Sequence, residues 1–199
     1  MKKLLYVDCC IRREESRTKR LAESFLKQVE ARGEYEIERL TLMDENLACL
    51  MEGFFAQRQE LLVTDPERKG PRFRYAHGFA EADRIVIAAP FWDLSFPALL
   101  KIYIENVNVD GITFRCDETG VYGLCKAKEL LYITTRGADF TGEDEYLEQA
   151  FPYLESFCQY VGIERFRGVS ADGLDLGLEP VDELLARAEA ELTEIAKEF

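Results

Sequence analysis

Three short stretches of this 199-residue chain carry residue types suited to holding a small, flat, charged ligand. The first runs from Cys9 to Thr18. Ser16, Arg17 and Thr18 stand at the start of a helix, where free N–H groups and the helix dipole favour an anion. Arg12, Arg13, Arg17, Lys19 and Arg20 concentrate positive charge there in an otherwise acidic chain. The second stretch, Pro90 to Leu94, holds Phe91, Trp92 (the only tryptophan), Asp93 and Leu94. Aromatic shapes of this kind pack along a planar ring, and backbone N–H groups beside them meet its polar edge. The third, Thr135-Arg136-Gly137-Ala138, combines a cation with a glycine that permits close backbone approach. Both features stabilise negative charge gathering on a bound ring. Each stretch also has an ordinary structural explanation: a helix cap, a core plug and a strand-to-helix turn. Their joint significance depends on whether the fold brings them together.

The elements that position them alternate between strand and helix. Lys3 to Asp8 reads as a strand, apolar and β-prone with a turn-type acid at its end. Glu15 to Arg32 follows as an amphipathic helix, with Leu21, Phe25, Leu26 and Val29 on one face and Gly33 as its stop. Tyr35 to Leu42 has the looser pattern of an edge strand, with a bulge before Leu40. Asn46 to Leu62 is expected to form a helix on an insertion, and Phe73 to Asp83 a short one. Ile85 to Ala89 is an unbroken apolar run, typical of a strand buried on both faces. Pro90 ends it, Ser95 is expected to cap the next helix, and that helix runs from Pro97 to about Val107. Ile112–Arg115 and Val121–Leu124 flank Asp117-Glu118-Thr119-Gly120 as an inserted β-hairpin. Glu129–Thr134 is another buried strand, Glu143–Val161 a helix, Gly162–Val169 the last strand and Glu179–Glu198 the closing helix.

Such alternation predicts a single α/β domain over residues 1–199, with a five-stranded, mostly parallel sheet and helices on both faces. The turn after the first strand contains no glycine, which excludes the Gly-rich dinucleotide fingerprint. The flavodoxin-like strand order 2-1-3-4-5 fits better, since hydroxyls and a helix N-terminus can build its phosphate loop. General experience with that fold places its flavin site at the crevice between the first and third strands. The C-terminal ends of strands one, three and four then lie side by side, bringing all three stretches to one place.

A formal net charge of −13 argues against a large nucleic-acid or anionic-membrane surface. No secretory signal or membrane-length apolar segment is seen, so a cytoplasmic location is expected. The six cysteines form no C-x-x-C pair, and His77, the single histidine, cannot complete a usual zinc site. They read as reduced thiols, with no metal expected.

Read together, these stretches resemble the FMN-dependent NAD(P)H azoreductases and quinone reductases of the flavodoxin-like superfamily. The similarity covers nearly the whole chain. It is strongest in I-A-A-P-F-W-D-L-S-F-P-A-L-L-K-I-Y-I-E, in G-I-T-F-R-C-D-E-T-G-V-Y-G-L and in Y-I-T-T-R-G-A. The resemblance implies that Pro90, Phe91, Trp92, Asp93 and Leu94 contact the flavin ring, and that Cys10, Ser16 and Thr18, with Arg17 beside them, hold the FMN phosphate. It carries the glycine-containing loop onto Thr135, Arg136, Gly137 and Ala138, and the substrate pocket onto Phe140 and Tyr160. It further implies a homodimer in which each pocket is completed by the partner, with Phe54, Phe55 and the 111–124 hairpin as contributors. The reaction implied is two-step: NADH or NADPH reduces the flavin and leaves, then a quinone, azo or nitro-type acceptor takes two electrons. No catalytic acid or base is required of the side chains.

Two departures from the family pattern stand out. Cys10 replaces a serine, and a thiol is a poor donor, worth about 1 kcal/mol less to a phosphate. Asp93 replaces an asparagine, and its charge would disfavour a reduced anionic ring. Two alternatives stay open: a flavodoxin-type electron carrier with no NAD(P)H turnover, which shares the acidic charge but is usually shorter and lacks the inserted hairpin, and a degenerate relative that has lost FMN, which Cys10 and Asp93 sustain.

Overall fold

The computed structural model describes residues 1–47 and 49–199. Five parallel strands form the central sheet: β1 (Lys2–Asp8), β2 (Tyr35–Thr41), β3 (Arg84–Ala88), β6 (Glu129–Thr135) and β7 (Arg165–Ala171), in the order β2-β1-β3-β6-β7. This is the expected order, with the hairpin β4 (Phe114–Asp117) and β5 (Gly120–Gly123) set apart as a separate antiparallel pair.

The period-two alternation of the buried strands divides the core in two. Leu5, Val7, Ile85, Ile87, Leu130 and Tyr132 face α3 (Arg74–Glu81), α4 (Ala98–Val107) and α5 (Ala150–Val161). Leu4, Tyr6, Val86, Ala88, Leu131 and Ile133 face α1 (Arg17–Ala31) and α6 (Val181–Glu198). Because both faces are covered, Ile85 to Ala89 are fully buried, as their sequence predicts. β2 takes the edge in continuous register with β1, without the expected bulge.

Several boundaries differ from expectation for local reasons. α2 (Glu52–Thr64) begins later than the predicted Asn46 start, has no buried residue, and sits outside the sheet layers; Ala48 in the predicted span lies outside the described residues. Arg58 from α2 donates to the carbonyls of Glu105 and Asn108, satisfying the C-terminal end of α4. The predicted helix from Glu143 is broken: a 3-10 turn over Gly142–Leu147 precedes α5, and the Glu148 carboxylate accepts from the N–H groups of Ala150 (2.9 Å) and Phe151 (3.1 Å). Gly162, in the left-handed region at φ 85°, closes α5, so β7 starts three residues after it rather than at it.

Candidate functional site

β1, β3 and β6 all end at one edge of the sheet, and their three following loops meet there. A groove of about 190 Å³ is walled by Ser16, Arg17 and Thr18 from the first loop, Pro90, Phe91 and Trp92 from the second, and Thr135, Arg136 and Gly137 from the third. Nine expected site residues are thus brought together. Thr18 and Thr135 join two of the loops directly, their hydroxyl oxygens 2.7 Å apart.

The first loop is built to receive an anion. Ser16 is the N-cap of α1, its hydroxyl accepting from the Lys19 N–H at 3.3 Å. This leaves the N–H groups of Arg17 and Thr18 without a protein acceptor among the described residues. The nearby cations are less free than the sequence suggests, because each has found a carboxylate. Arg12 pairs with Glu15, Arg13 with Asp44, Lys19 with Glu14 and Arg20 with Asp182. Arg17, at the groove itself, is 2.9 Å from Asp175.

The second loop is a two-residue hairpin. The N–H of Trp92 donates to the Ser95 carbonyl at 2.8 Å and Ser95 returns the bond at 2.9 Å. Asp93 (φ 50°) and Leu94 (φ 67°) between them both lie in the left-handed region, the signature of a type I′ turn. An aspartate tolerates that conformation; a leucine there is strained. Ser95 therefore closes the turn instead of capping a helix, and α4 begins at Ala98 with Pro97 as its N-cap. Asp93 and Leu94 are exposed at the tip of the turn and do not line the groove; the Leu94 carbonyl accepts from the Gln149 N–H at 2.9 Å, and neither residue's own N–H has a protein acceptor among the described residues. Phe91 stays below, its N–H donating to the Thr135 carbonyl and its ring 4.8 Å from that of Phe140.

In the third loop the carbonyls of Arg136, Gly137 and Ala138 accept from Leu174, Asp175 and Gly173, respectively. The N–H groups of Gly137 and Ala138 have no protein acceptor among the described residues. A Cβ on Gly137 would sit 2.5 Å from an Asp175 carboxylate oxygen, the free end of an exposed side chain that can turn aside. Leu174 and Asp175, which follow β7, complete the groove with Arg12. The Asp172-Gly173 turn after the last strand was their only sequence signal.

Not every expected residue faces the groove. Cys10 is fully buried beneath it: its N–H donates to Asp8 at 2.8 Å and its thiol to the Ala88 carbonyl at 3.6 Å. Burial, reinforced by the Asp8 carboxylate, pushes the neighbouring Cys9 thiol to about 12 and pushes the Cys10 thiol up as well, so both stay protonated at neutral pH. Arg136 borders the groove, but its guanidinium turns into the protein, toward Glu148 and Asp172. Phe140 reaches the site's margin, lining an adjoining hollow of about 450 Å³ with Phe151 and Pro152. Tyr160 does not. It lies at the C-terminal end of α5, which runs away from the groove, and its ring packs on Phe114 of the hairpin at 4.9 Å. The hairpin itself packs against that same end of α5, at the opposite edge of the sheet from the groove. Phe54 lies under Arg72, away from the three loops.

The donor set fits the phosphate and polar ring edge of FMN: a capped helix N-terminus, four N–H groups on the first and third loops, and aromatic walls between them. Comparison with known proteins agrees. Residues 2–196 match the model of a family described by its flavodoxin-like fold. An FMN-dependent NADH:quinone oxidoreductase of Clostridium acetobutylicum is 36% identical over 207 residues, covering all of both chains. One from Caldicellulosiruptor saccharolyticus is 34% identical over 206 residues, again covering both chains completely. Among solved structures, an azoreductase from Bacillus anthracis superposes with a TM-score of 0.88 at 25% identity, over 100% of each chain.

Proposed function

The chain belongs to the flavodoxin-like family of FMN-dependent NADH:quinone oxidoreductases, and on that premise we propose that the groove at the C-terminal edge of its sheet is where FMN is held. The protein is an oxidoreductase that takes electrons from NADH and passes them to a quinone or azo acceptor. When bound, FMN supplies the redox chemistry, accepting two electrons from one substrate and releasing them to the next.

The chain's own residues bind and orient. Ser16 and the N–H groups of Arg17 and Thr18, at the positive end of α1, hold the phosphate; Arg17 then exchanges Asp175 for a phosphate oxygen. Phe91 and Trp92 pack against the ring, and Pro90, lacking an N–H, leaves the loop free to leave the strand ladder. The N–H groups of Asp93, Leu94, Gly137 and Ala138 serve the polar edge of the ring, where dipoles offset gathering negative charge. Thr135 fixes the third loop to the first through Thr18. The hollow beside Phe140 has room for the acceptor, including nitro-type compounds.

A second copy of the chain completes the pocket. Trp92, Leu94, Tyr146 and Leu176 are 43%, 41%, 71% and 48% exposed on segments at this edge of the sheet, an apolar rim suited to burial in a homodimer. No helix among the described residues is long and apolar enough to cross a membrane. We assign the protein to the cytoplasm, in keeping with cysteines that show no disulfide-type spacing.

The observation that carries this reading is that Arg17, Thr18 and Gly137, from two separate loops, line one groove with N–H groups that have no protein acceptor among the described residues. Its test is anaerobic NADH titration of the FMN-loaded protein, followed by a quinone. Bleaching of the flavin absorbance by NADH and its return on quinone addition is the expected result. Reduction only by a separate reductase would establish an electron carrier instead, and failure to take up excess FMN a relative that has lost its cofactor.

A further inference from the structure

Arg136 is only 6% exposed, yet it belongs to a loop at the rim of the sheet. Its backbone is fixed on both sides: its N–H donates to the Ala171 carbonyl at 2.9 Å, and its carbonyl accepts from Leu174 at 3.1 Å. The guanidinium carbon stands 4.5 Å from the ring centre of Phe151 and 5.2 Å from that of Phe91. One ring belongs to α5; the other belongs to the groove wall. Two carboxylates flank the cation as ion pairs, Glu148 at 3.3 Å and Asp172 at 3.5 Å, while its Nε and Nη2 have no hydrogen-bond partner among the described residues. The carboxylates are themselves held, Glu148 by the N–H groups of α5 and Asp172 by the Ser170 hydroxyl at 2.7 Å.

An apolar side chain would fill this space without the desolvation cost that a buried guanidinium carries. What the guanidinium adds is direction. A planar cation is attracted to an aromatic face, so a guanidinium kept in place by two nearby carboxylate charges can lie against both rings at once. The Phe91 backbone is held by the Thr135 carbonyl and its ring also meets Phe140 at 4.8 Å; the Arg136 cation adds a second hold on the ring, linking it to Phe151 of α5 and to Asp172 after β7.

We propose that Arg136 is a positioning residue: held by Glu148 and Asp172, its guanidinium seats the Phe91 ring, and through that ring it sets the surface against which the flavin ring lies. This rests on the FMN reading of the groove. It replaces direct contact of the Arg136 charge with the flavin by action through Phe91.

The test uses the whole protein with and without FMN. Arg136→Lys keeps the charge but loses the planar face and the fork. In the cofactor-free protein, acrylamide quenching of Trp92, the only tryptophan and the next residue after Phe91, is expected to rise about twofold. With cofactor, FMN and riboflavin are each expected to bind about tenfold more weakly, because the loss falls on the ring and not on the phosphate. In a Phe91→Leu background the Arg136→Lys loss is expected to vanish, since the ring that transmits it is gone. Glu148→Gln, which retains an acceptor for the α5 N–H groups, is expected to shift all three readouts in the same direction by a smaller amount. Full additivity with Phe91→Leu would overturn the proposal, as would unchanged Trp92 quenching in both variants. A wild-type protein that takes up no FMN would sink the cofactor reading alone, and the quenching comparison would still decide whether Arg136 seats the loop.

Discussion

At the N-terminal edge of the sheet Glu129 is buried and answered by Arg84 and Arg167, with Glu198 beyond them. At the C-terminal edge, by contrast, N–H groups on three loops have no protein acceptor among the described residues, and Leu94 is held in a strained conformation. The N-terminal edge is closed off further by the hairpin, whose Gly123 lies directly on the backbone of Val161 and Gly162. One edge neutralises its buried charge within the chain, by ion pairs between Glu129, Arg84, Arg167 and Glu198. The other presents donors to solvent, where a ligand with matching acceptors can replace the water on them. Strain and open donors collected at one edge of an otherwise consistent fold are the physical mark of a binding site.

The sharpest way to break this contrast is to damage each edge separately. Gly123→Ala would drive a Cβ into the Gly162 backbone, which cannot move aside as a side-chain tip can. Overpacking of this kind costs about 3 kcal/mol, which lowers the melting temperature by roughly 6–12 °C in a protein of this size. FMN affinity of the folded protein should stay the same. A large loss of FMN affinity alongside the lowered melting temperature would mean the two edges are coupled, and the division of labour would fail.

Ser16→Ala attacks the other edge. Loss of the N-cap costs about 1 kcal/mol of stability. FMN should bind about tenfold more weakly, while riboflavin, which lacks the phosphate, should bind as before. Titration of both flavins against the same variant measures the difference. Equal losses for the two would place the phosphate elsewhere.

Much of this architecture was readable from residue order, and the exceptions share a cause. The strand order and the two-sided burial of Ile85–Ala89 follow from short-range alternation, as does Ser16 at the start of α1. The groove's Leu174 and Asp175 arrive through the pairing of β7 with β6, a long-range event that no local pattern announces. Arg136 looked available because its two carboxylates and two aromatic partners come from other parts of the chain. Asp93-Leu94 is not a usual type I′ pair, so the turn left no signature in residue type. Tyr160 was placed near the substrate by similarity, but a helix of 12 residues carries its last turn roughly 18 Å along its axis. Local chemistry was legible; the partners that redirect it were not.

The cysteines provide a finer probe of what is closed and what is open. Cys49 and Cys116 are exposed, whereas Cys9, Cys10 and Cys158 are buried. In the native protein near pH 8, roughly the ordinary thiol range, a thiol reagent should label the exposed pair promptly and the buried three only after unfolding. Burial also raises the folded-state pKa of Cys9, Cys125 and Cys158 from 9.0 to about 12. The unfolded chain therefore releases these protons first as pH rises. The stability they contribute is whole below about pH 9 and is lost progressively as pH climbs toward about 12. Thermal melts across that window should show the decline, and Cys158→Ala should make it shallower. Rapid labelling of Cys10 in the folded state would show the first loop to be open where it is drawn as closed.

The smallest effect is expected from Asp93, and it tests the open edge most selectively. Its side chain is exposed at the tip of the type I′ turn, at φ 50°, a conformation that asparagine adopts as readily. Asp93→Asn should therefore leave stability within about 0.5 kcal/mol of wild type, as exposed substitutions usually do. What changes is one negative charge beside the proposed ring site. Two charges about 4 Å apart in a watery environment interact by about 1 kcal/mol, and for a two-electron couple this corresponds to about 20 mV. The sign follows from the charge: removing a carboxylate favours the more negative, reduced ring, so the midpoint potential should rise. Gly123→Ala, at the far edge, should leave the potential where it was. A potential unmoved by Asp93→Asn would mean that the turn presents only its backbone to the flavin, and that the replacement of asparagine by aspartate at this position has no electronic consequence.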